Sequence, residues 1–242
     1  MHRIIFSYLP GACVFLLLAV SLWFRVWKLG SVPGLNGDEA WFGNEMLYAL
    51  RGEPFLWRTP HGNPLNPFWC LPLWALHTVF QPSFVLLRSL AVVSGCLALL
   101  VNFWLCKATY DKTTAWISTV LLAVLPVNIA YSRFATDPAQ TLLVTLPLIY
   151  LPLWALREPH RARRLLGWCF VCVPIALWVH TTNAFGLMWL ALVLVYPAWG
   201  RLKTKLSSQR RALPRGQSAK SRIAAIGTLS LAFLLVLLWA LG

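Results

Sequence analysis

The stretch "FVLLRSLAVVSGCLALLVNFWLC", residues 84–106, runs for twenty-three residues with one charge, Arg88. A helix rises 1.5 Å per residue, so this segment is long enough to cross the roughly 30 Å hydrocarbon core of a bilayer, and it is read as a membrane span. Comparable apolar runs lie on either side, at 8–30, 113–131, 138–156, 165–180, 185–199 and 223–241. The predicted fold is therefore all-α and polytopic: a single membrane domain over 1–242 with about seven transmembrane helices. Composition agrees, because 59% of residues are hydrophobic and the mean hydropathy is +0.66, whereas soluble domains are about 45–50% apolar. Prolines at 126, 147, 152 and 174 are expected to kink or end helices. The first run is too long for a signal peptide, lacks a small-residue cleavage pattern and is followed by Arg25 and Lys28, so it is kept as a helix.

The net charge of +14 raises nucleic acid as a partner, and the positions of the charges decide against it. With a cytoplasmic N-terminus, fifteen of the 21 basic residues fall inside against only Asp111 and Glu158, giving +13 inside and +1 outside. That is the positive-inside pattern, and it sets the predicted topology. The basic loop at 200–222 contains no aromatic residue on which a base would stack, and anionic lipid headgroups account for it. The six cysteines lie in or beside apolar runs. Even "CFVC" at 169–172 is read as small buried hydrophobes rather than a redox or zinc pair.

Between the first two spans, residues 31–83 form an outer loop too long to be a simple turn. Its first part, "NGDEAWFGNEMLYALRG" (36–52), holds three of the chain's seven carboxylates, Asp38, Glu39 and Glu45. Phe42, Met46, Ala49 and Leu50 recur at helical spacing while Asp38, Glu45 and Tyr48 point elsewhere, and Gly52 closes the helix. A second helix is expected over Phe68 to Phe80. Both are placed at the outer interface, where Trp41, Trp57, Trp69 and Trp74 suit the headgroup layer.

Each candidate for chemistry also has a structural reading. Asn36 can cap the first loop helix with Glu39 as its reciprocal partner, which leaves Asp38 free to face outward. Asp137 can be an N-cap with Pro138 at the first helical position, or it can pair with Arg133. Against these stands their common side: Asp38, Glu39 and Asp137 share it with Arg58, His61, Arg133 and His180. A carboxylate at a membrane boundary beside cations suits a general base or a metal ligand, and arginines suit phosphate.

Four segments in order, "GDEAWFGNEMLYALRGEPF", "HGNPLNPFWCLPLWALHTVF", "LLRSLAVVSGCLALL" and "YSRFATDPAQTLL", resemble the GT-C membrane glycosyltransferases. The branch they resemble contains protein O-mannosyltransferases and the aminoarabinose transferase of lipid A. The resemblance covers about residues 9–156, with an Asp-Glu pair on the first loop helix and an Arg in the second span, and implies the N-terminal seven-helix module of that family. It implies transfer of a monosaccharide from a polyprenyl-phosphate carrier to a lipid, glycan or protein acceptor at the extracytoplasmic face of a bacterial inner membrane. Asp38 maps onto the family's loop Asp as base or acceptor-orienting group, with Glu39 beside it, and Asp137 maps onto the second outer acid. Arg58 or Arg133 would meet the carrier phosphate. No cofactor is required, and the acids leave room for a divalent metal. Two alternatives stand beside this reading: a noncatalytic truncated homologue or membrane subunit that binds lipid carrier or a partner, and a transporter. Transporters tend to place ionisable groups at mid-membrane, whereas the acids here lie in loops or at span ends.

Overall fold

The computed structural model describes residues 2–54, 56, 58, 59, 62 and 65–196, with side chains from Val14 onward, that of Thr181 excepted. His61, the end of the sixth predicted span, the basic loop and the seventh predicted span lie outside the described residues. The chain divides into two units, Met1–Leu190 and Ala191–Gly242, and the described site residues belong to the first.

Among the described residues the regular elements are all helical. In chain order they are α1 (His2–Val26), α2 (Gly37–Leu50), α3 (Pro67–Val79), α4 (Phe84–Thr109), α5 (Lys112–Val124), α6 (Pro126–Tyr131), α7 (Thr141–Arg157), α8 (Ala162–Val179) and α9 (Ala184–Tyr196). Short 3-10 turns precede α7 (Asp137–Gln140), α8 (Pro159–Arg161) and α9 (Thr181–Asn183). Three segments are long and apolar enough to cross a membrane: Phe84–Thr109, Asp137–Arg157 and Pro159–Val179. By length and composition they mark an integral membrane protein. Helix α4 is the central element, packing against α5, α7, α3 and α6, while α7 also pairs with α8 and α1 with α5.

The predicted span 113–131 is two helices. Pro126 has no N–H to offer the carbonyl of Leu122, and the chain leaves helical geometry at Leu125. Asn128 repairs the break, its Nδ2 donating to Leu122 O at 2.8 Å. Pro147, Pro152 and Pro174 sit inside α7 and α8 without ending them.

Arginines satisfy carbonyls at the ends of neighbouring helices. The last carbonyls of a helix have no partner within it, and a guanidinium, with five donors, can serve several of them at once. Arg25, wholly buried, donates through Nη1 to Ala123 O near the end of α5 at 3.1 Å, to Ser21 O at 3.0 Å and to Ser21 Oγ, and through Nε to Ser132 Oγ at 3.3 Å. Arg133 donates to Phe24 O, Trp27 O and Val32 O at and beyond the end of α1, the Trp27 bond being 2.7 Å. Arg157 donates to Thr109 O, the last residue of α4, at 3.0 Å and lies over the Tyr110 ring. The negative end of each helix dipole adds to the attraction. Arg133→Ala leaves three carbonyls without this donor, so a loss of about 3 kcal/mol is expected, read as a fall in melting temperature in detergent.

Within the 31–83 loop, the helices α2 and α3 dock against α4. Phe42 and Met46 of α2, Leu65, and Trp69, Cys70 and Leu73 of α3 form one core with Leu87 and Ala91 of α4 and with Ala135 and Ala139. Trp69 is wholly buried in that core, so it is not the interfacial tryptophan the sequence suggested. Its neighbour Trp74 is exposed, as are Phe68, Leu71 and Val79 on the same side of α3.

Candidate active site

Helix α2 begins with the expected capping box. Glu39 N donates to Asn36 Oδ1 at 2.8 Å, and Asn36 N donates to Glu39 Oε2 at 3.4 Å. It ends as the Gly52 signal implies: φ is +81° there, Gly52 N reaches Ala49 O at 3.2 Å, and Glu53 N reaches Tyr48 O at 3.1 Å. This is a Schellman ending, with the glycine one residue past the cap. The helix is thus fixed at both ends, and Asp38 occupies its first turn.

Glu39 does far more than cap. With 0% of its side chain exposed, it forms a two-pronged ion pair with Arg88 of α4: Nε to Oε1 at 2.8 Å and Nη2 to Oε2 at 2.8 Å. Oε1 also accepts from Ala135 N at 2.7 Å. Arg88 reaches Leu29 O at 2.8 Å and Gly34 O at 3.3 Å. One buried pair therefore ties α2, α4, the segment after α1 and the segment before α7 together.

Asp38, one residue away, is the opposite case. Its side chain is exposed and holds no hydrogen bond or ion pair among the described residues. Asp137 is the half-buried first residue of the 3-10 turn that precedes α7. Asp137 is not an N-cap: Thr136 occupies that position and makes no side-chain cap, and the α-helix proper starts at Thr141. Nor does Arg133 pair with it, since the guanidinium faces the carbonyls of residues 24, 27 and 32. Both structural readings of Asp137 thus lose their partner, and the bond from Ala135 N to Glu39 ties the turn that carries Asp137 to the first turn of α2, where Asp38 lies.

Glu45 differs from its expected placement. It is 5% exposed and lies on the stripe of Glu39, Phe42 and Met46 rather than pointing away from it. The core joining α2 to α3 and α4 covers a wider arc of α2 than its apolar residues mark. Cys70 of α3 lies within electrostatic reach of both Glu45 and Asp137. Burial first, and then those two carboxylates, push its thiol up to about 12. The thiolate is the reactive form, so maleimide labelling of Cys70 at pH 8 is expected to be about 10³-fold slower than that of an ordinary exposed cysteine.

The remaining candidates are spread around this centre. Arg58 is exposed and donates through Nη1 to Gly62 O at 2.8 Å, closing its own short turn. His180 caps the end of α8, and its Nδ1 accepts from Thr182 N at 3.2 Å and meets Thr182 Oγ1 at 2.8 Å. That places the ring proton on Nε2, and burial lowers the imidazole below its usual range. Trp178 ties the same end of α8 to the loop, its indole N–H donating to Leu65 O at 3.1 Å. Among the described residues no group of three or more His, Cys, Asp and Glu is arranged to hold a metal.

Sequence reasoning passed over Arg88, Asn66 and Gln140 as site residues. For Arg88 the signal was present, a lone charge within an apolar run. No family model, curated protein or solved structure matches this chain. The functional reading therefore rests on the site itself and on the resemblance in sequence order.

Proposed function

We propose that this chain is a glycosyltransferase that moves a monosaccharide from a polyprenyl-phosphate carrier to an acceptor at the extracytoplasmic membrane face. On this reading it crosses the bilayer about seven times with its N-terminus in the cytoplasm, in a bacterial inner membrane. The observation that carries it is the contrast between adjacent acids: Glu39 is locked in a buried ion pair and tied to the segment before Asp137, while Asp38 beside it is exposed and unpaired among the described residues.

In the proposed reaction the acceptor hydroxyl attacks the anomeric carbon, the bond from that carbon to the phosphate oxygen breaks, and the phosphate leaves with the electron pair. Asp38 takes the hydroxyl proton. Asp137 orients the acceptor, and Arg58, His61 and His180 meet the carrier, because Arg133 is engaged with helix-end carbonyls. Glu39 becomes a positioning residue.

The engagement of Arg133 and Arg88 favours a second reading, a noncatalytic homologue that binds the lipid carrier or a partner protein. Transfer of labelled sugar from a panel of polyprenyl-phosphate donors in membranes carrying the chain separates the two. Donor-dependent transfer supports the enzyme, and none across the panel, with membrane extract as acceptor, supports the binder.

A further inference from the structure

Pro72 lies inside α3 and has no N–H, so the carbonyl four residues before it, Phe68 O, lacks its helical donor. The missing bond is supplied from another element: Gln140 Nε2 donates to Phe68 O at 2.9 Å. Gln140 Oε1 in turn accepts from Asn66 Nδ2 at 2.9 Å, and Asn66 Oδ1 accepts from Phe68 N at 3.0 Å. The three residues close a ring in which the fixed N–H and C=O of Phe68 dictate which way each side-chain amide faces. Asn66 is 0% exposed and Gln140 is buried, so water does not compete for these bonds.

The ring holds one end of a short lever. Gln140 ends the 3-10 turn that Asp137 begins, and residues three apart in such a turn lie over one another. The other side of Asp137 is held by Glu39, which accepts from Ala135 N and neighbours Asp38 in the first turn of α2. Segment 135–140 is thus fastened to α2 by Glu39 and to α3 by Asn66, with Asp137 between the two fastenings.

We infer that Asn66 and Gln140 are positioning residues whose amide ring on Phe68 sets the separation of Asp137 from Asp38. The purpose assigned to that separation rests on the transferase reading, in which a misplacement of about 1 Å lowers rate about 10²-fold. The geometric claim does not depend on it.

The test uses the full chain in detergent with its six native cysteines replaced by alanine. Asp38→Cys and Asp137→Cys carry spin labels, and pulsed EPR reads the distance between them. Gln140→Met, which fills the space and removes both side-chain bonds, is expected to broaden and shift the distance distribution. Gln140→Glu, which keeps an acceptor for Asn66 Nδ2 but turns an acceptor oxygen toward Phe68 O, is also expected to shift the distribution, and Asn66→Ala, which removes the other member of the ring, carries the comparison should either variant fail to fold. In the chain with Asp38 and Asp137 restored, Gln140→Met is expected to lower kcat for sugar transfer about 10²-fold with the donor KM unchanged. A distance distribution indifferent to these substitutions in folded protein overturns the inference and leaves the transferase reading intact. A responsive distribution in a chain that transfers no sugar from any donor upholds the positioning and overturns the transferase reading instead.

Discussion

Replacing Asp38 by Asn is expected to lower sugar transfer by about 10²–10⁴-fold, the usual contribution of a general base. The amide has the shape of the carboxylate and cannot accept the acceptor's proton. Because Asp38 is exposed and unpaired among the described residues, the change in stability is expected to stay within about 0.5 kcal/mol. The effect therefore belongs to kcat, and melting temperature, expression and donor KM serve as controls. Asp137→Asn is the natural comparison, because the segment that carries Asp137 is tied to the helix of Asp38 through Glu39. If the loss falls on Asp137→Asn while Asp38→Asn transfers normally, the base is the half-buried acid and Asp38 is the orienting group. Equal transfer by wild type and both variants would remove the carboxylates from the chemistry.

The long apolar helices were legible because their signal is cumulative, residues 84–106 carrying one charge, yet of the seven predicted spans only three correspond to described helices long and apolar enough to cross a membrane. Helix α2 was legible at both ends for a local reason. Asn36, Glu39 and Gly52 each act within a few residues of themselves, and all three do what their spacing implied. What stayed hidden were ties across long separations. Glu39 lies 49 residues from Arg88 and 96 from Ala135, and Asn66 lies 74 from Gln140. No spacing rule connects such positions. Arg133 shows the same limit from the other side: a cation near a carboxylate in sequence suggested a pair, yet the carbonyls ending α1 claim its donors. The prolines were partly legible, since Pro126 was expected to break its helix, without any sign that Asn128 would fill the carbonyl it leaves free.

Glu39→Gln is expected to destabilise the chain by about 3–5 kcal/mol, with a fall in melting temperature on the order of 10 °C. The reason is asymmetry rather than strength of the pair. Two charges removed from water gain little net energy from meeting, but removing one leaves the other buried without compensation. In Glu39→Gln the Arg88 guanidinium, 1% exposed, loses its counter-charge and keeps the carbonyls of Leu29 and Gly34 with one bond to the amide oxygen, because the amide cannot accept from Arg88 with both of its ends. Arg88→Met strands the Glu39 carboxylate on the backbone N–H groups of Ala135 and Asn36, so a loss of similar size is expected. The double variant Glu39→Met/Arg88→Met removes both charges, and its loss should be well short of the sum of the single losses. It does not return to zero, because Leu29 O, Gly34 O and Ala135 N each lose a partner. This pattern separates the two roles open to Glu39. A catalytic Glu39 would give a Gln variant that melts normally and transfers nothing. A Glu39 that holds α2 in place gives a variant whose melting temperature falls first, with transfer lost only as the Asp38 turn comes away from Asp137.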